Sequence, residues 1–252
     1  MTYKEFGQGE PLIILHGLFG TLDNWQTLAR GFGEHFTVFI VDVRNHGKSA
    51  WYETHRYTDI ASDLNAFMEA NWIHKAHLLG HSMGGKAVMQ FAVDYPDKVD
   101  KLVVADIAPR TYAGGHETVF EALFAVDFTK INTRKEVEEI LDKHIQDKGT
   151  VQFLLKSLTR NEDNSLLSWR MNVPVLYKYY KEILGNIAIP SPIENETLFL
   201  RGANSNYIQD TDWQSIQLLF PNATLNTIPN AGHWVHAEQP ALFAKAVEEF
   251  LV

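Results

Sequence analysis

The chain has 252 residues, enough for one large α/β domain or two small ones, and at 45% hydrophobic with 12% aromatic it can bury a sizeable core. Its formal charge of −9 excludes nucleic acid as a partner, because phosphate binding needs a basic face. The lack of cysteine excludes disulfides, thiol chemistry and cysteine-ligated metal; it fits a reducing compartment, so a cytoplasmic location is expected.

The N-terminus, Met1-Thr2-Tyr3-Lys4-Glu5-Phe6-Gly7, has no apolar run preceded by basic residues, which predicts no signal peptide. No segment approaches the roughly 20 apolar residues needed to span a bilayer. Pro11-Leu12-Ile13-Ile14-Leu15 is a continuous apolar run of strand length, which predicts burial on both faces. It ends in His16-Gly17-Leu18-Phe19-Gly20. A His-Gly loop after an early strand can turn a backbone N–H toward a developing oxyanion, and that of Leu18 is the candidate. The His16 side chain is read as shaping that loop through hydrogen bonds, not as doing chemistry.

Residues Asp23 to Phe32 read as a helix, with Trp25, Leu28 and Ala29 on one face. Thr37-Val38-Phe39-Ile40-Val41 is a second buried strand. It runs into the polar turn Asp42-Val43-Arg44-Asn45-His46-Gly47-Lys48-Ser49, where Arg44 and His46 are read as loop supports before they are read as ligands. From Thr58 to Trp72, Ile60, Ala61, Leu64, Phe67 and Met68 repeat at helical spacing. His77 and His81 are four apart, but they straddle a strand and a turn, not one helix face, so a metal pair is a poor reading.

Gly80-His81-Ser82-Met83-Gly84-Gly85 reads Gly-x-Ser-x-Gly between a short strand, Lys75 to Leu79, and a helix, Lys86 to Ala92. That is the context of a nucleophile elbow, with Ser82 as the nucleophile. The tight turn forces strained backbone angles on the serine and needs small residues two before and two after it. The N–H groups at the start of the following helix face the place where negative charge develops, and that of Met83 is the candidate partner of Leu18. The helix stops near Asp94-Tyr95-Pro96. Lys101-Leu102-Val103-Val104-Ala105 is another parallel-type strand, with Asp106 at its end. Strands alternating with helices predict a doubly wound, mostly parallel sheet. Ligands of such sheets bind at the carboxyl ends of the strands, so Leu18, Ser82 and Asp106 should meet.

From Arg110 to Pro192 there is little strand signal. Val137, Ile140, Leu141 and Ile145 form one helical stripe; Phe153, Leu154 and Leu158 suggest another; Trp169, Tyr177, Tyr179 and Tyr180 follow. Residues 110–192 are read as a helical cap inserted into a core domain of residues 1–109 and 193–252, since about 80 residues are too many for an ordinary connection. The cap would cover the serine, exclude water and supply an apolar acyl pocket.

Glu196 to Gly202 returns to strand, Trp213 to Phe220 to helix and Ala223 to Ile228 to strand, before a final amphipathic helix from Pro240 to Leu251. Between these last two lies Ala231-Gly232-His233-Trp234-Val235-His236. His233 directly follows Ala231-Gly232 and so sits nearest the strand end, which makes it the general base ahead of His236. The acid is harder to place. In many hydrolases with this elbow it stands in a Gly-x-x-Asp turn after the penultimate strand, and here that turn is Gly202-Ala203-Asn204-Ser205. A serine cannot carry the charge that stabilises imidazolium. Asp106 can, and it is assigned as the acid, with Ser205 as an auxiliary hydrogen-bond partner. Asp210 and Asp212 are fallbacks, more at home capping the helix near Trp213.

Together, the loop at His16 to Gly20, Asp42-x-Arg44-Asn45-His46-Gly47-x-Ser49, the elbow through Ala87, Asp106-Ile107-Ala108-Pro109, Asn204-Ser205 and Gly232-His233-Trp234-Val235-His236 carry a resemblance. The chain resembles the α/β-hydrolase superfamily over almost its full length. It looks most like the YbfF-type bacterial acyl esterases and the abhydrolase-domain proteins of animal mitochondria. The resemblance implies a serine esterase with Asp106 as acid and Ser205 in the usual acid position. It implies a small-molecule acyl ester as substrate, short to medium in chain length, and extends to acyl-CoA thioesters. No metal or organic cofactor is required. The rival readings are another chemistry on the same fold (C–C bond hydrolase, lyase-type synthase, cofactor-free haloperoxidase) and a non-enzymatic ligand receptor.

Overall fold

The computed structural model describes residues 1–160 and 166–252. The chain opens with two strands, β1 (Thr2–Phe6) and β2 (Glu10–Leu15), then helix α1 (Gln26–Phe32) and strand β3 (Phe36–Asp42). Helix α2 (Tyr57–Ala70), strand β4 (Ala76–His81), helix α3 (Met83–Asp94) and strand β5 (Val99–Ala105) complete the first half. Among the described residues, the segment before the next long strand holds helices α4 (Glu117–Ala125), α5 (Arg134–His144) and α6 (Lys148–Leu155). A short hairpin of β6 (Leu158–Arg160) and β7 (Leu167–Trp169) and helices α7 (Val173–Lys178) and α8 (Tyr180–Leu184) follow. The chain ends with β8 (Thr197–Gly202), α9 (Asp210–Leu219), β9 (Ala223–Ile228), α10 (Val235–Glu238) and α11 (Pro240–Leu251).

The main sheet runs β1-β3-β2-β4-β5-β8-β9. Every neighbouring pair is parallel except β1 with β3. Side chains alternate between its faces, as the two-residue period of a strand requires. Ile13, Leu15, Leu78, Leu102 and Val104 pack on the side of α2 and α3. Leu12, Ile14, Leu79, Val103 and Ala105 pack on the other, under α1 and α11. Burial on both faces explains why β2 and β5 are apolar throughout their second halves. From β2 the strand order steps outward to β3 and then back across to β4. The order therefore reverses between β2 and β4, which opens a crevice at their carboxyl ends. The loop at Leu18 and the turn at Ser82 border it.

The structure adds one strand that the sequence reading did not name and changes two expectations. The N-terminal segment is a strand, β1, paired antiparallel on the sheet edge with Thr2 opposite Asp42. Its pattern is mostly exposed, so it lacks the apolar run that betrays an interior strand. The segment after β5 is not purely helical, because β6 and β7 pair antiparallel. Leu158 accordingly belongs to β6, opposite Trp169, and not to a helical stripe with Phe153 and Leu154. Residues 161–165, which fall within the expected cap of 110–192, lie outside the described residues.

Candidate active site

Strand β4 ends at His81 and helix α3 begins at Met83, so Ser82 stands alone in the turn. Its backbone lies at φ 54°, ψ −118°, a region that costs a non-glycine residue about 1–3 kcal/mol. Neighbouring backbone holds it there: the Ser82 N–H donates to Ala105 O at 3.0 Å, and its carbonyl accepts the Lys86 N–H at 3.1 Å. The flanking glycines are obligatory for steric reasons. A Cβ on Gly80 would lie 2.2 Å from the Gly84 carbonyl oxygen, and one on Gly84 would lie 2.3 Å from that of Leu15.

Asp106, His233 and Ser82 form one line of hydrogen bonds. His233 Nδ1 is 2.8 Å from Asp106 Oδ2, and His233 Nε2 is 3.0 Å from Ser82 Oγ. A carboxylate can only accept, so the imidazole proton sits on Nδ1 and the Nε2 lone pair faces the serine hydroxyl. Asp106 is fully buried. Gly202 N–H donates to its Oδ1 at 3.0 Å, and the Ser205 hydroxyl donates to the same Oδ2 that His233 uses. The His233 ring stacks on Tyr207 with centroids 3.7 Å apart. His81, one residue before Ser82, donates Nε2–H to the His233 carbonyl at 2.8 Å and so pins the backbone of that histidine.

His236 lies beside His81, with ring centroids 4.6 Å apart, but off this hydrogen-bond line. It is buried and stacked on Trp25 with centroids 4.3 Å apart, and burial, with His233 and Lys156 nearby, pulls its imidazole down to about 3. Asp210 and Asp212 open α9; Asp212 Oδ2 caps the helix by accepting the Gln209 N–H at 2.8 Å. His77 lies four strand residues from His81, about 13 Å by strand rise, which disposes of the metal pair. Among the described residues, the His–carboxylate group with metal-ligand spacing is Glu10, His77 and Asp100, at the amino ends of the strands. Lys75 already pairs there with Asp100 at 2.8 Å.

The loop after β2 is braced from beneath by two neutral histidines. His16 Nε2 accepts the Val43 N–H at 3.1 Å, so its Nδ1 donates to Gly17 O at 2.8 Å. His46 Nε2 accepts the Phe19 N–H at 3.3 Å. Burial pulls both imidazoles below their ordinary range. Arg44 is occupied too, pairing with both oxygens of Asp63 at 2.7 and 2.8 Å. Leu18 and Met83 border one small cavity with Ser82. Met83 is the first residue of α3, so its N–H has no helical carbonyl to bond and is free for an anion.

The family model described as the alpha/beta hydrolase fold matches residues 10–240. The chain belongs to the α/β-hydrolase family. It is 40% identical over 251 residues to a protein named esterase YbfF of Escherichia coli, covering 99% of this chain and 96% of that one. It is 36% identical over 262 residues to a protein of Danio rerio named sn-1-specific diacylglycerol lipase ABHD11, covering 100% of this chain and 82% of that one. A solved structure titled marine microorganism esterase superposes with a TM-score of 0.96 at 41% identity, covering 99% and 98% of the two chains.

In this α/β hydrolase the serine opens on two cavities. The larger, about 210 Å³, is bordered by Phe19, His81, His116, Phe153, His233 and Trp234. The smaller, about 30 Å³, is bordered by Met83, Lys86, Tyr112, Ile183 and Tyr207. Leu18, Ser82 and His116 belong to both. His116, Lys86 and Tyr207 escaped the sequence reading. Lys86 alone left a signal there, as a charge one turn into an otherwise apolar helix. Its amine is buried, donates to Leu184 O at 3.1 Å and to Gly185 O, and is pulled down to about 7 by burial, with Arg110 nearby. No helix among the described residues is long and apolar enough to cross a membrane.

Proposed function

We propose that this carboxylic ester hydrolase works through an acyl-serine intermediate, with Ser82 as nucleophile, His233 as general base and acid, and Asp106 as the orienting carboxylate. The unbroken hydrogen-bond line from Asp106 through His233 to Ser82, at 2.8 and 3.0 Å, supports this assignment. His233 Nε2 takes the Ser82 proton as Oγ attacks the ester carbonyl. The amides of Leu18 and Met83 hold the developing oxyanion, each donor worth about 3–4 kcal/mol by analogy with other oxyanion holes. Collapse of the tetrahedral species expels the alcohol, which takes its proton from His233, and leaves the acyl group on Ser82. Water then attacks through the same groups. Ser205 fixes Asp106.

The substrate is a short- to medium-chain acyl ester, with acyl-CoA thioesters as a second class. The leaving group lies in the larger cavity because His233, which must protonate it, borders that one. The acyl chain then occupies the smaller. Residues 110–192 act as the cap over both, and a cytoplasmic location completes the proposal. Ser82→Ala and His233→Ala are expected to abolish hydrolysis of p-nitrophenyl esters while the fold persists by circular dichroism. Asp106→Asn is expected to lose about 10⁴ in kcat, as in triads elsewhere, with Asp210→Asn near normal. Retained turnover in Ser82→Ala would discard the mechanism. A panel of p-nitrophenyl esters, acyl-CoA thioesters and a diacylglycerol separates the substrate classes.

A further inference from the structure

The geometry points to His116 as a fixed hydrogen-bond donor, supplied by the inserted segment, to the departing alcohol oxygen of the ester. It rests on the acyl-serine reading above, and it assigns a role outside the Asp106–His233–Ser82 line.

The argument starts from one phenol. The Tyr180 hydroxyl accepts the backbone N–H of His116 at 3.0 Å and lies 2.9 Å from His116 Nδ1. A phenol has one proton to give. Burial pushes the Tyr180 hydroxyl up to about 12, so that proton stays on the oxygen at neutral pH. Tyr180 is buried, and among the described residues His116 Nδ1 is the one acceptor within reach of its hydroxyl, so the hydroxyl donates to Nδ1 while it accepts the backbone N–H. Nδ1 is therefore the unprotonated nitrogen. Burial, reinforced by nearby His233, pulls the His116 imidazole down to about 4, so the ring is neutral at pH 7 and its single proton resides on Nε2. Two edge-on aromatic contacts, Phe19 at 5.9 Å and Tyr180 at 5.8 Å between centroids, hold the ring in place.

His116 borders both cavities that meet at Ser82. Within the larger one it shares the lining with His233, and the two imidazoles are close enough to influence one another electrostatically. The leaving oxygen must come to His233 Nε2 to collect its proton, and so it enters the space that His116 faces. There a neutral N–H donor, held in one tautomer by Tyr180, stabilises negative charge as the C–O bond breaks. His116 transfers no proton: the one that departs with the alcohol comes from His233.

The demand for such a donor depends on the leaving group, which supplies the test. Ethyl butyrate, p-nitrophenyl butyrate and the ethyl thioester of butyric acid give the same acyl-enzyme, so any change in deacylation is common to all three. Ethoxide needs help to leave, p-nitrophenoxide needs little, and a thioester sulfur is a weak acceptor. His116→Ala should lower kcat/KM for ethyl butyrate at least tenfold more than for the other two substrates. His116→Gln places an amide N–H near the former Nε2 and should recover part of that gap; His116→Asn should not. Tyr180→Phe, which releases the tautomer lock, should give an intermediate gap. Labelling by a fluorophosphonate probe reports whether Ser82 remains competent in each variant. An equal loss across the three substrates, or none, overturns the proposal. If His116→Ala also fails to label, the same ratio in Tyr180→Phe decides. Turnover of ethyl butyrate by Ser82→Ala would instead overturn the acyl-serine reading.

Discussion

Asp106 lies just beyond β5 at φ 50° and is wholly buried, while its carboxylate accepts from Gly202, Ser205 and His233. Ser205 stands just beyond β8, which neighbours β5, in the turn where the sequence pattern led us to look for an acid. In the proposed mechanism the two residues act as a pair, Asp106 supplying charge and Ser205 a hydrogen bond to it. Ser205→Ala removes one donor from a buried carboxylate. A hydrogen bond to a charged group contributes about 1.5–3 kcal/mol, so kcat is expected to fall roughly ten- to hundredfold with KM little changed. A stronger test moves the charge: Asp106→Asn with Ser205→Asp should recover part of the activity that Asp106→Asn alone loses, read with a p-nitrophenyl ester. No recovery would mean that a carboxylate at position 205 cannot reach His233 Nδ1. The meeting of Ser82, His233 and Asp106 was legible in the sequence because each sits at a strand end or within a glycine-flanked turn. His116 was not, because its meaning comes from Tyr180, 64 residues away, and the intervening chain gives no sign of the contact.

At the scale of elements, periodicity carried the reading. Helices α2 and α11 were legible because their buried residues recur at helical spacing, α3 because it follows the serine turn and stops before Pro96, and β2 to β5 because each holds a short apolar run. Strand β1 escaped because an edge strand needs no apolar run, and β6 and β7 because three residues are too few to show alternation. How α3 is tied to α8 was also invisible. Lys86, one turn after Ser82, reaches the carbonyls of Leu184 and Gly185, which end α8, and Tyr57 donates to the preceding Ile183 carbonyl at 2.7 Å. These bonds satisfy carbonyls at the end of the helix, which have no partner within it. The lysine also makes stability depend on pH. Its folded pKa, about 7, lies below the ordinary 10.5, so between those values the unfolded chain binds more protons than the folded one. Stability therefore rises with pH across that window. The wild type is expected to gain thermal stability between pH 7 and 9, and Lys86→Met should flatten that rise while lowering the melting temperature throughout. An equal rise in both proteins would place the titration elsewhere.

The whole molecule is a sheet whose two faces bury separate cores, with one of those cores continuing into the inserted segment. Val119, Phe120, Val151, Trp169 and Ile183 belong to the same apolar cluster as Val88, Val104 and Ile107. The segment between β5 and β8 is thus joined to the sheet by packing as well as by chain, and the small cavity beside Ser82 lies in that seam. Its walls are held by hydrogen bonds: Tyr112 donates to Tyr207 O at 2.7 Å while accepting the Ala108 N–H at 2.7 Å, and Tyr57 holds Ile183. A wall so fixed should set a length limit. Each methylene of an acyl chain that finds room contributes about 0.8 kcal/mol, close to fourfold in kcat/KM. One that meets the wall must instead displace hydrogen-bonded backbone. With about 30 Å³ free, the expected profile for p-nitrophenyl esters rises from acetyl to butyryl and falls by octanoyl. Ile183→Ala removes wall without removing a hydrogen bond, because the Tyr57 contact is to the backbone carbonyl. That variant should move the optimum at least two carbons longer and leave acetate turnover within about threefold, less than one methylene's worth of binding. A wild-type profile that climbs steadily through decanoyl would show that the acyl chain runs into the larger cavity, and the two sides of the ester would then have to be exchanged.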